Sequence, residues 1–86
     1  MRILAIGQLT GPDIQPHLDE EKRASAQLHE EGFIVQSFRK RDRSGAILLV
    51  EAADAAAAQS GLEKLPFVER DLIAFELIEL ADGVSG

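Results

Sequence analysis

The sequence predicts an α+β fold whose elements follow the order β-α-β-β-α-β. Three observations carry that prediction. Short runs rich in branched and aromatic residues, too brief for helices, recur near residues 2–8, 33–38, 46–51 and 72–80. Two longer segments with helical character fall between the first and second runs and between the third and fourth. Glycines, prolines and a charged turn punctuate the boundaries. Two helices on one face of a four-stranded antiparallel sheet, in this order, make the ferredoxin-like or split βαβ arrangement.

Each element follows from its residues. Ile3, Leu4, Ala5 and Ile6 form a strand over 2–8 that ends around Gly7. Thr10, Gly11, Pro12 and Asp13 are a loop, and a helix begins between Asp13 and His17, with Pro16 tolerated in its first turn. Gly32 stops that helix as its C′ residue. Ile14, Leu18, Glu21, Ser25, Leu28 and Gly32 share one stripe at helical spacing, while Asp19, Arg23, Gln27 and Glu30 lie opposite. Residues 33–38 form the second strand, Arg39 to Gly45 a charged hairpin turn, and 46–51 the third strand. Asp54 caps an alanine-rich helix over 55–65, slightly weakened by Gly61 and ended by Pro66. Residues 66–71 are a connector and 72–80 the last strand; the last six residues are expected to fray.

The strands do not alternate. A sheet with helices on one face and water on the other should place polar residues at every second position. Here 3–6, 46–50 and 72–75 put apolar side chains on both faces. A contiguous apolar sheet face far exceeds the patches that monomers expose. The expectation is a homodimer packed through the open sheet face, forming a dimeric α+β barrel.

The 86 residues suffice for one domain, 1–86. Without cysteine there is no disulfide framework, thiolate nucleophile or thiolate metal site. A net charge of −6 disfavours nucleic acid, because an acidic surface repels the phosphate backbone. No apolar run approaches the ~20 residues that span a bilayer, and the apolar start breaks at Gly7, too early for a secretory leader. The expected location is cytoplasmic. Two histidines twelve residues apart, with no obvious third ligand, argue against a metal site. Phosphate-binding glycine loops and the common hydrolase motifs are absent from the sequence.

Glu21 is the first candidate for chemistry. It sits mid-stripe between Leu18, Ser25 and Leu28, where desolvation favours the neutral carboxyl and raises its pKa toward values useful to a general acid or base. The structural alternative is a pairing with an arginine of the second strand or a place at the edge of the helix–sheet seam. His17 lies one turn earlier, at i and i+4, and can share a pocket opening with Glu21 as a proton relay or stand as a surface group. His29, near the helix end, suits the helix dipole and reads as structural. In the basic run, Arg39 is close enough to the strand to orient a substrate carboxylate, while Lys40, Arg41 and Arg43 read as a solvated hairpin tip.

Glu21-Lys22 with Ala26-Gln27-Leu28, Glu31-Gly32, Phe38-Arg39 and Leu65-Pro66-Phe67 before the last strand resemble muconolactone isomerase and its uncharacterised relatives across almost the whole chain. The resemblance implies a ferredoxin-like protomer in a dimeric α+β barrel, sometimes assembled further into a ring. It implies a cofactor-free isomerase that moves a proton and a double bond within a small lactone or oxygenated carboxylic acid. On this sequence Glu21 would be the base or shuttle, Lys22 a nearby cation, His17 an accessory acid and Arg39 the carboxylate anchor, with Ser25 and Phe38 as further substrate contacts. The alternatives are a non-catalytic small-ligand-binding or assembly module of the same class, and a cofactor-independent monooxygenase or cyclase.

Overall fold

A computed structural model of the chain describes residues 1–81. The strands are β1 (Arg2–Leu9), β2 (Ile34–Arg39), β3 (Ala46–Glu51) and β4 (Ile73–Leu80). The helices are α1 (Leu18–Glu30), α2 (Ala55–Leu62) and the single turn α3 (Pro66–Glu69). The sheet runs β2-β3-β1-β4 and every pairing is antiparallel. This is the ferredoxin-like βαββαβ fold that the element order predicts.

Several ends are fixed by the residues expected to fix them. Gly32 has a φ of 83°, its N–H donates to the His29 carbonyl at 3.1 Å, and the Phe33 N–H donates to the Leu28 carbonyl at 3.0 Å. These two bonds close α1 as a Schellman motif. Asp54 accepts from the Ala57 N–H at 2.8 Å and caps α2. The expected frayed end falls mostly at 82–86, outside the described residues.

Several boundaries differ from the sequence reading; β1 and β2 each end one residue later and β4 starts one residue later, and three further differences have a local cause. The first helix does not start as one piece: Gln15–His17 form a 3-10 turn with Pro16 inside it, and α1 follows at Leu18. The second helix ends at Leu62 rather than 65, and Pro66 opens α3 instead of closing what precedes it. Proline suits that first position, since its φ is already helical and its missing N–H is one that the helix would leave unpaired. β2 begins one residue late, because the Phe33 N–H is used in closing α1.

The core lies between the helices and one sheet face. Ile3, Ala5, Leu48, Val50 and Ile34 point inward from the sheet to meet Leu28 of α1 and Ala58 and Leu62 of α2. Gly61 earns its place in α2 by packing, since the Phe33 ring occupies the space where a Cβ would stand. A second cluster of Phe67, Leu72 and Ile73 gathers Leu9, Ile14 and Leu18 at the other end of α1.

The opposite sheet face is largely apolar, with Arg2, Gln36 and Glu76 among its residues by register, and has no covering element among the described residues. By register it carries Leu4 and Ile6 of β1, Ile47 and Leu49 of β3, and Ile78 and Leu80 of β4. Phe38 joins them, 53% exposed. No helix among the described residues is long and apolar enough to cross a membrane.

One irregularity decides which side of β2 faces the helices. Ile34 pairs with Val50, but Gln36 pairs with Leu49, so Val35 is an extra residue in a β-bulge. Simple alternation from the buried Ile34 would turn Gln36 and Phe38 inward. The bulge reverses this: Ser37 and Arg39 pair with the inward Leu48 and Ala46, and Phe38 pairs with Ile47 on the open face.

Candidate functional site

Between the two hydrophobic clusters, α1 and the inner sheet face enclose an open cavity of about 730 Å³. Its existence follows from the side chains at its middle. The α1 stripe carries Glu21 and Ser25 there instead of large apolar groups, and Gly45 and Ala46 lie across from them on the sheet. Gly45 must be glycine, because an added Cβ would run into the backbone carbonyl of Gly7. The Phe75 ring lies over Gly7, with its Cε1 2.6 Å from where a Cβ would stand, and forms part of the cavity floor.

Glu21 is half-buried on the α1 wall. Burial pushes its carboxyl above the usual glutamate range, and the hydrogen bond from the Phe67 N–H to Oε1, at 2.9 Å, partly opposes that rise. This bond also has a structural role. Leu65 precedes α3 and has no side-chain acceptor to cap it, so a carboxylate from α1 takes the first-turn N–H instead. Among the described residues no donor reaches the other oxygen, Oε2.

Three cations line the cavity: Lys22 from α1, Arg39 from the end of β2 and Arg43 from the following turn. None is in an ion pair among the described residues. The turn is built to hold Arg43. The Lys40 N–H bonds the Gly45 carbonyl at 3.0 Å and the Arg43 N–H bonds the Lys40 carbonyl at 2.9 Å. Asp42 Oδ1 accepts from both the Ser44 hydroxyl, at 2.6 Å, and the Ser44 N–H, at 2.9 Å, which holds its carboxyl below the usual range. Arg43 consequently adopts a left-handed φ of 63°.

The structure thus brings Glu21, Lys22, Ser25 and Arg39 to one cavity, as their sequence positions suggested. It leaves His17 outside the lining, at the N-terminal cap of α1. Phe38 also lines the cavity, although its pairing with Ile47 places it by register on the open face, where it is 53% exposed. Sequence reasoning passed over His29, Arg43 and Ser37, all of which line the cavity. His29 Nε2 lies 3.4 Å from Ser37 Oγ, a pairing that requires Ser37 to face inward. Its signal was available in α1, since Glu21, Ser25 and His29 recur every four residues. Among the described residues no group of three or more histidine, aspartate or glutamate side chains could hold a metal ion.

No family model matches the chain, and no curated protein matches it in sequence. Among solved structures it is similar to 5-chloro-2-hydroxyhydroquinone dehydrochlorinase (TftG) from Burkholderia phenoliruptrix AC1100, in complex with 2,5-dihydroxybenzoquinone. The two share a TM-score of 0.72 and 20% identity over 96% of each chain. That likeness establishes the α+β, ferredoxin-like fold over the aligned part of the chain.

Proposed function

We propose that the protein is a muconolactone isomerase-like, cofactor-free enzyme that shifts a proton and a double bond within a small lactone or oxygenated carboxylic acid. The observation that carries this reading is Glu21: a half-buried carboxylate with a raised pKa on the wall of a cavity that also presents cations in no ion pair among the described residues. The fold is shared with a dehydrochlorinase solved with a quinone in place, which supports a site for small oxygenated rings.

The chemistry follows from the residues. Arg39 receives the substrate carboxylate through two parallel hydrogen bonds and sets its orientation. Glu21, ionised, takes the proton from the carbon between the carbonyl and the C=C bond, and the electrons of that C–H bond delocalise through both into a conjugated dienolate. Lys22 stabilises the negative charge developing on the enolate oxygen. Glu21, now neutral, returns the same proton to the far carbon of the dienolate, which moves the double bond and restores the carboxylate. A base whose pKa is lifted toward neutrality serves both halves of the transfer. Ser25 lines the substrate's path, and His17, outside the cavity lining, is assigned no step.

The active form in this proposal is a homodimer through the open sheet face. Leu4, Ile6, Ile47, Leu49 and Phe38 would be withdrawn from water by a second copy, and the protomer offers no element of its own for that purpose among the described residues.

Wash-in of deuterium tests the proton transfer without a known product. A small unsaturated lactone acid is incubated with the protein in D₂O, and proton NMR follows the carbon next to the carbonyl. Catalysed exchange that Glu21→Gln abolishes, with the fold retained, is the expected result. Exchange at an unchanged rate in the variant would remove Glu21 as the base. A second reading, a non-catalytic binder of small acids, is favoured by one observation: Glu21 already caps α3. Saturable binding with no exchange in the wild type would select it.

A further inference from the structure

We propose that the ligand of this cavity is a dianion, a flat ring with two acidic groups on one side and a hydrocarbon edge on the other. This narrows, and rests on, the reading of the cavity as a site for small cyclic acids. The cavity is two-sided. Toward β1 and β4 it is walled by Leu9, Leu18, Phe67, Ile73 and Phe75, which suit a ring edge and offer it no side-chain hydrogen bond. Toward β2 its wall is polar, with Ser37, Arg39, Arg43 and His29.

Charge counting favours two acidic groups over one. Lys22, Arg39 and Arg43 line the same cavity in a chain whose net charge is −6, yet none meets a carboxylate in the structure among the described residues. The one acidic side chain lining the cavity among the described residues, Glu21, has Oε1 committed to the Phe67 N–H. A single carboxylate held by one guanidinium leaves the other without a counter-charge. Arg39 and Arg43 are also placed independently, one by strand register and the other by the Asp42-braced turn. Two separately positioned forks can each take one acidic group. Ser37 stands two residues before Arg39 on the same strand face, about 7 Å away, where its hydroxyl and His29 can add a hydrogen bond to the first group.

Calorimetric titration of the full chain at low ionic strength tests this with benzoate and with phthalate, isophthalate and terephthalate. The best of the three dicarboxylates should bind at least about fivefold more tightly than benzoate, the scale of one partly exposed ion pair. Arg43→Gln should bring that dicarboxylate to within about twofold of benzoate while changing benzoate itself by less than that. Both side chains are exposed, and circular dichroism confirms that the variant keeps its fold. Equal binding of monoanion and dianions, or an equal loss of both in Arg43→Gln, would overturn the dianion assignment and leave the small-acid reading standing. A protein that bound none of the four probes would overturn both. The proton-transfer role of Glu21 is judged separately, by deuterium exchange.

Discussion

Replacing Glu21 separates its two roles, because glutamine and leucine remove different things. Glutamine keeps an oxygen that can accept the Phe67 N–H but cannot ionise; leucine removes both the acceptor and the charge. The folded-state pKa of Glu21 is raised from 4.5 by burial. The folded protein therefore holds this proton more tightly than the unfolded chain, and the stability so gained is present below about pH 4.5 and lost as pH rises through the folded pKa. Glu21→Gln, which has no such proton, should match the wild type in acid and become the more stable of the two above the folded pKa. Glu21→Leu should be less stable than Glu21→Gln by about 1 kcal/mol at every pH, the usual worth of a helix-cap acceptor, since the Phe67 N–H loses its partner in leucine alone. The chain has no tryptophan or tyrosine, so urea unfolding is followed by far-ultraviolet circular dichroism between about pH 3.5 and 8. If Glu21→Gln instead loses stability relative to the wild type as pH rises, the ionised carboxylate is the form the fold prefers. Glu21 would then not be a base of raised pKa.

Gly45→Ala should destabilise the protein by roughly 2 kcal/mol or more, because the new Cβ meets the Gly7 carbonyl, backbone just past the end of the β1–β3 pairing that is held on its other side by the pairing of Gly7 with Phe75 of β4; urea unfolding checks it, and a neutral result would mean that the two strands can part. Ile47→Lys, on the open face beside Phe38, should convert the proposed dimer to monomer in sedimentation velocity while leaving the helix–sheet core intact. A monomeric wild type would remove the dimer from the proposal. Deletion of Val35 should be tolerated at a cost of about 1 kcal/mol, the share of valine burial lost by a side chain already 40% exposed. Removing the extra residue leaves the pairing of Gln36 through Arg39 unchanged. Loss of the His29–Ser37 contact in an NMR spectrum of the deletion variant would show that the bulge does more than absorb one residue.

The fold was legible because its signals are local. Gly32, Asp54 and the branched runs act through their own neighbours, and the structure uses them as a sequence reading expects. Pro66 was misread for a reason of context: proline can follow one helix or begin another, and what makes it begin α3 is a cap from Glu21, 45 residues away in the chain. The apolar residues on both strand faces were equally visible, and they correspond to a core face and an uncovered face in the structure.

The site was half legible, and the dividing line is the bulge at Val35. Helical spacing alone puts Glu21 and Ser25 on the inward wall, and the same four-residue step extends to His29, whose place near the helix end made a dipole role look sufficient. On β2 the period is two, so one unpaired residue exchanges every later side chain between faces. Nothing in the run from Ile34 to Arg39 announces that residue, since Val35 is as good a strand former as its neighbours. The insertion is set by pairing with β3, where Val50 and Leu49 are adjacent while their partners Ile34 and Gln36 are not. The consequence is chemical as well as geometric. An unbulged strand in phase with Ile34 would offer the cavity Gln36 and the Phe38 ring, a neutral and largely apolar wall. The bulged strand offers Ser37 and Arg39 and gives the phenylalanine to the uncovered face. A single extra residue thereby supplies the cation that the proposed chemistry needs and the aromatic side chain that the proposed dimer would bury.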